Sequence, residues 1–128
     1  MRFPTPAFMM FLVASPALAH GEWRPTKAQI ALVESRIVMP SGAFGPLVSY
    51  ARYYAGERRS GRRVIVGELV RLTKAPVLPP VLKVVGPADL PGIADGGCGV
   101  IRFTYDVSRK ALSALECSGE TPPPPPQP

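Results

Sequence analysis

The chain predicts an α+β fold: one N-terminal helix packed on a four-stranded antiparallel sheet made of two hairpins, the last closed by a disulfide. Three observations carry that expectation. A single segment near residues 27–38 has a helix start signal and helical spacing. From residue 47 onward, runs of strand-forming residues alternate with polar turns. The only two cysteines, Cys98 and Cys117, bracket the last pair of runs. A helix confined to the start and strands confined to the rest argue for α+β over α/β.

Residues 1–19 read as an export leader. Arg2 supplies a positive start, residues 7–14 a short apolar core, Ser15-Pro16 a break, and Ala17-Leu18-Ala19 the small-x-small form of a cleavage site. The apolar core is far shorter than the roughly 20 residues that span a bilayer. The expected product is a periplasmic or secreted protein, cut between Ala19 and His20, with no transmembrane segment in the mature chain. Removing 19 of the 128 residues leaves 109, enough for one small domain over 20–119 and a proline-rich tail over 120–128.

In the helical segment, Thr26 and Gln29 have the spacing of a capping box, in which each side chain satisfies an orphan backbone N–H of the first turn. Ile30, Val33 and Ile37 then recur on one face, and Pro40-Ser41-Gly42 ends the segment. Its β-branched content makes it weak in isolation, so it must dock. Trp23, the sole tryptophan, is placed to pack back on the domain near the helix start.

Residues 47–55 and 63–72 suit two strands of a first hairpin, joined by the hydrophilic residues 56–62. In the second strand both faces are largely apolar, which fits a central position. Glu68 is the exception, an acid expected to lie on a partly wet face or to pair with Arg52 or Arg71. Residues 75–97 carry prolines at 76, 79, 80, 87 and 91, which exclude a helix through most of the stretch and a central strand near each ring. Residues 81–85 suit a short edge strand or a plain extended segment. An edge left open there would allow homodimers by sheet extension.

The stretch from Cys98 to Cys117 reads as a hairpin turning at residues 106–110 and clasped across its open end. Direct pairing of the cysteines sets Phe103 opposite Leu112 and Ile101 opposite Ala114, with a bulge at the turn able to shift the register by one. An exported chain meets oxidising conditions, so a disulfide is favoured over free thiols. A metal site would want further Cys or His ligands, and His20 is the only histidine. The tail after Thr121 is polyproline without apolar content.

The same inventory argues against catalysis. A Ser or Cys nucleophile lacks a base within the domain, because the lone histidine would lie at the mature N-terminus. The start His20-Gly21 resembles the N-terminal histidine copper sites of exported oxidases and copper carriers, but a tight site needs ligands that this chain lacks. Gly96-Gly97-Cys98-Gly99 leads into a strand, not into the helix that a phosphate-binding loop requires. No cofactor, no metal and no enzymatic activity are expected.

What remains is charge. The chain carries a formal +6, or +5 once Arg2 leaves with the leader. Arg58, Arg59, Arg62 and Arg63 fall within six residues at the first hairpin loop. Such a cluster suits bidentate contact with phosphates or carboxylates, with Tyr50, Tyr53 and Tyr54 nearby as stacking surface. The expectation is a binding protein whose partner is an anionic envelope polymer or an acidic protein, not nucleic acid, which an exported chain rarely meets.

The order of helix, hairpin, long crossover and disulfide-closed hairpin, over residues 27–117, is similar to that of secreted cystatins. That resemblance implies inhibition of papain-like proteases by two hairpin tips. Those tips carry Gln-x-Val-x-Gly and Pro-Trp in cystatins. Here the corresponding residues are Tyr53-Tyr54-Ala55-Gly56, which keep only the Ala-Gly ending, and Val107-Ser108, with neither proline nor tryptophan.

Overall fold

A computed structural model describes residues 2–4 and 23–119. The leader's apolar core, the expected cleavage site with His20, and the polyproline tail lie outside the described residues. One helix, α1 (Lys27–Arg36), is followed by a short 3₁₀ turn at Leu47–Ser49. Five strands come next: β1 (Ala51–Arg59), β2 (Arg62–Val70), β3 (Leu82–Val84), β4 (Gly97–Asp106) and β5 (Ala111–Ser118). They form one sheet in the order β3-β1-β2-β4-β5. The α+β class is as expected, but the sheet has five strands and is mixed, because β3 runs parallel to β1.

The fifth strand comes from the proline-bearing stretch. Leu82, Lys83 and Val84 form a window free of proline, in which the backbone can pair. Arg52 donates its N–H to the carbonyl of Val81 at 3.0 Å, and Val85 donates to that of Tyr54 at 2.8 Å. Three residues on an edge are what the flanking prolines allow.

Helix α1 begins at the capping box, with both Thr26 and Gln29 bonds made at 3.2 and 2.8 Å. It stops at Arg36, two residues before the expected end. Ile37 is extended, its N–H bonded to the carbonyl of Glu34; β-branched Ile37-Val38 followed by Met39-Pro40 favours that exit. Ile30 and Val33 are buried, each contributing about 1.5–3 kcal/mol by leaving water. They meet the sheet face formed by Tyr54, Ile65, Leu69, Ile101, Phe103 and Tyr105.

Gly67 makes that face possible. It lies opposite Phe103 in the β2–β4 ladder, and a Cβ at this position would overlap the Phe103 ring. The ring therefore lies across the strand, with Tyr54 at a centroid distance of 5.9 Å.

The first hairpin is tighter than expected. The strands continue to Arg59 and Arg62, so the loop shrinks from residues 56–62 to Ser60-Gly61. Both have positive φ, 51° and 75°, the type I′ geometry that matches strand twist. The start of β1 shifts likewise, because residues 47–49 form the 3₁₀ turn. Trp23 packs on the domain, bridging Gly56 and donating its indole N–H to the carbonyl of Glu57 at 2.8 Å.

Cys98 and Cys117 form the disulfide. The register around it differs from direct pairing: Leu112 lies opposite Tyr105 rather than Phe103, and Cys117 opposite Ile101. Two irregularities, between Gly97 and Ile101 and between Arg102 and Thr104, absorb the difference. The first puts extra residues on β4, beside Cys98, and the second puts one on β5, where Ala114 has a positive φ of 53°; together they let the sulfurs meet while the ladder slides.

The second face of the sheet is covered by the crossover, residues 85–96, on its way from β3 to β4. Glu68 holds it. The buried carboxylate accepts the N–H groups of Gly92 and Ile93 at 3.2 Å each and faces Arg102 at 3.6 Å. Neither Arg52 nor Arg71 is its partner, because strand alternation sends both to the opposite face. Arg71 is buried and spends its guanidinium on Ser49 Oγ and on the carbonyls of Thr73 and Lys74.

Candidate functional site: the arginine hairpin tip and the helix clefts

Arg58, Arg59, Arg62 and Arg63 flank the two-residue turn, and all four are exposed. The ladder sets Arg58 against Arg63 and Arg59 against Arg62. Alternation then divides them between the two faces of the tip. On the crossover side, Arg59 pairs with Glu57 at 2.9 Å and Arg62 approaches Asp106 at 3.7 Å. On the helix side, the Arg63 guanidinium lies 5.4 Å from the Trp23 ring centroid, a cation–π geometry. Arg58 has no salt bridge among the described residues.

The tyrosines expected beside this cluster do not join it as stacking surface. Tyr50 is fully buried; its hydroxyl donates to the carbonyl of Cys98 at 2.7 Å and accepts the N–H of Phe44 at 2.8 Å. Tyr54 is also fully buried, bonded to Glu34. Tyr54 sits at an inward position of β1, and Tyr50 closes the 3₁₀ turn just before that strand. Tyr53 faces the other way, half-buried next to Glu68 in the ladder. Of the segment compared with a cystatin tip, Tyr53 to Gly56 lies within β1, and the tip itself is Ser60-Gly61.

Glu34, Arg52 and Tyr54 form a polar contact between α1 and β1. Arg52 Nη1 donates to both carboxylate oxygens of Glu34 at 2.8 and 2.7 Å, and Tyr54 donates to Oε2 at 2.6 Å. Burial, then the hydrogen bond to Glu34 and its negative charge, push the Tyr54 hydroxyl above the ordinary phenol range, with Arg52 opposing. The Asp106 carboxyl is held below the usual carboxylate range by the N–H of Arg109 and the hydroxyl of Ser108.

Two clefts flank the helix. One of about 300 Å³ opens between α1 and the β3 edge, lined by Lys27, Ile30, Ala31, Glu34, Leu82 and Val84. The other, about 210 Å³, lies between α1, β2 and the β4–β5 turn, lined by Gln29, Leu32, Ile65, Tyr105, Val107 and Lys110. Sequence reasoning passed over both, since each joins residues from separate elements and only the docked helix creates the concavity. Among the described residues, no group of three or more His, Cys, Asp or Glu side chains could hold a metal ion, and no helix is long and apolar enough to cross a membrane. The chain matches no family model, no curated protein and no solved structure at a significant level.

Proposed function

We propose that this chain is a small exported binding domain, non-catalytic, that presents the Arg58–Arg63 hairpin tip to an anionic envelope polymer or an acidic protein face. The disulfide supports an oxidising compartment. The observation that carries the reading is the register: two arginine pairs stand directly opposite one another across the narrowest part of a hairpin. Like charges in that relation destabilise a ladder, and nothing in the core requires them. Their ion pairs with Glu57 and Asp106 are exposed and worth at most about 1 kcal/mol each, so an incoming phosphate or carboxylate can replace them at small cost. Arg58 offers its full donor set at once.

The test is binding to a phosphate- or carboxylate-bearing polymer across a salt series. Affinity should fall steeply with ionic strength and be lost when Arg58, Arg59, Arg62 and Arg63 become Ser, with thermal stability kept or raised. Retention of binding by that variant, or indifference to salt, would dismiss the reading.

A further inference from the structure

Four cations line the helix side of one end of the sheet, and strand pairing and hydrogen bonds join their elements into a row. Arg58 on β1 stands opposite Arg63 on β2. Val107 donates its N–H to the Arg63 carbonyl at 3.1 Å, which extends the β2–β4 pairing into the β4–β5 turn. Lys110 closes that turn and faces α1. Arg36, in the last turn of the helix, donates to the Lys110 carbonyl at 3.2 Å. From β1 to β5 the row spans about 15 Å at the usual strand spacing. All four residues are exposed, and none has a salt bridge among the described residues. The acids at this end, Glu57 and Asp106, lie on the crossover side with Arg59 and Arg62. Two guanidiniums of the row are positioned by the protein itself: Arg63 over Trp23, whose indole N–H is bonded to the Glu57 carbonyl, and Arg36 on the turn. Donors fixed in advance lose little freedom when an anion arrives.

We propose that this row is a track for a linear phosphate-bearing polymer, which lies across both hairpins on the helix side. The inference rests on the arginine-tip reading and narrows it, naming the side, the second hairpin and the ligand class. Two guanidinium forks set side by side suit the tetrahedral oxygens of a phosphate, whereas a planar carboxylate gives both of its oxygens to one fork. A protein partner would find little to grip. Ser60-Gly61 and Ser108-Arg109 are polar, and no exposed large apolar side chain lies within residues 57–63 or 106–110. The core of a protein–protein interface is instead depleted of charge and rich in aromatic side chains. A polymer with a charge at every repeat needs only the row, and its affinity grows as more repeats engage.

The experiment titrates the oxidised full chain with long-chain inorganic polyphosphate, tripolyphosphate and polyglutamate by calorimetry across a salt series. Long-chain polyphosphate should bind tightest. Arg36→Gln with Lys110→Gln should weaken it about tenfold and flatten the slope of log affinity against log salt by about 1.4, the value of two phosphate contacts on a single-stranded polyanion. The same variant should leave tripolyphosphate, which fits on Arg58 and Arg63, unchanged. Arg58→Ser with Arg63→Ser should weaken both phosphate ligands more than Arg59→Ser with Arg62→Ser does. Lys74→Gln with Lys83→Gln removes equal charge from exposed positions outside the row and should keep the parent's salt slope. A slope unmoved by the Arg36 and Lys110 changes would sink the track and leave the tip reading standing. Equal losses from the Lys74 and Lys83 changes would reduce the effect to net charge and overturn the proposal. A preference for polyglutamate would overturn the phosphate assignment, again without touching the tip. Full binding by the variant with Ser at 58, 59, 62 and 63 would instead dismiss the tip reading itself, and the track with it.

Discussion

The Tyr54 hydroxyl donates to Glu34 Oε2 at 2.6 Å, from the middle of the sheet to the last turn of the only α-helix among the described residues. Arg52 holds the same carboxylate with Nη1, so a partly buried cluster of one acid, one base and one phenol sets where the helix lands on β1. Removing the acid leaves the partly buried Arg52 without its counter-charge. We expect Glu34→Ala to cost about 3 kcal/mol and Tyr54→Phe about 1 kcal/mol at pH 7, measured by urea unfolding.

The same phenol gives a pH dependence. Its folded pKa is raised, so the folded state favours the protonated hydroxyl. That contribution is fully present below the unfolded phenol value of about 10 and is lost as pH rises above it. Unfolding midpoints recorded from pH 8 to 11.5 should therefore drop less steeply in Tyr54→Phe than in the parent. Parallel curves would place the alkaline sensitivity elsewhere.

Gly67 and Phe103 predict a compensating pair. Gly67→Ala thrusts a methyl group into the Phe103 ring, in a core where overpacking typically costs about 1–3 kcal/mol. Shrinking the ring partner in Phe103→Leu opens a void and is also destabilising alone. In the double variant the added methyl enters the vacated space, so its loss of stability should be smaller than the two single losses together, by about 1 kcal/mol or more. Strict additivity in a denaturant cycle would mean that the two positions do not share that space.

The disulfide joins residues 19 apart in sequence, across the irregular part of the β4–β5 ladder. Closing a loop of that length contributes about 3 kcal/mol in the chain-entropy account. The Cys98→Ser, Cys117→Ser double variant should lose about that much. Reductant should lower the parent's melting temperature to that of the variant and leave the variant itself unmoved; a parent indifferent to reductant would assign the clasp no part in stability.

Local signals carried much of this fold, and tertiary ones carried the site. Thr26 and Gln29 announce the helix because a capping box is written within four residues. Cys98 and Cys117 announce their bond because they are the only two, whereas the first hairpin, expected to turn over 56–62, turns at Ser60-Gly61 because the charged residues on either side still pair in the ladder. Strand β3 was legible only as one of two options: three residues between prolines gain strand character from β1 alone. Tyr50 and Tyr54 are buried and do not form stacking surface, because aromatic residues suit both a wet and a dry face and the docked helix decides which is dry. Glu68 was recognised as anomalous, yet its partners Gly92 and Ile93 are backbone groups 24 and 25 residues away, which no side-chain pattern encodes.

Glu68 also supplies the prediction most specific to the crossover. Its carboxylate accepts two adjacent backbone N–H groups and stands beside Arg102, which in turn donates to the Ile93 carbonyl at 2.8 Å. Ser118 Oγ donates to that same carbonyl at 3.0 Å, so side chains of β2, β4 and β5 converge on one short segment. Glu68→Gln keeps the shape but loses the charge and one acceptor, and we expect a cost of about 1–3 kcal/mol. The more telling readout is local. Gly92 and Ile93 amides should exchange with solvent faster in the variant by a larger factor than the amides of Leu69 or Ile101 in the sheet core, because the crossover would open without the sheet opening. Exchange that speeds up uniformly, in step with global stability, would show instead that residues 85–96 rest on the sheet without being held by that carboxylate.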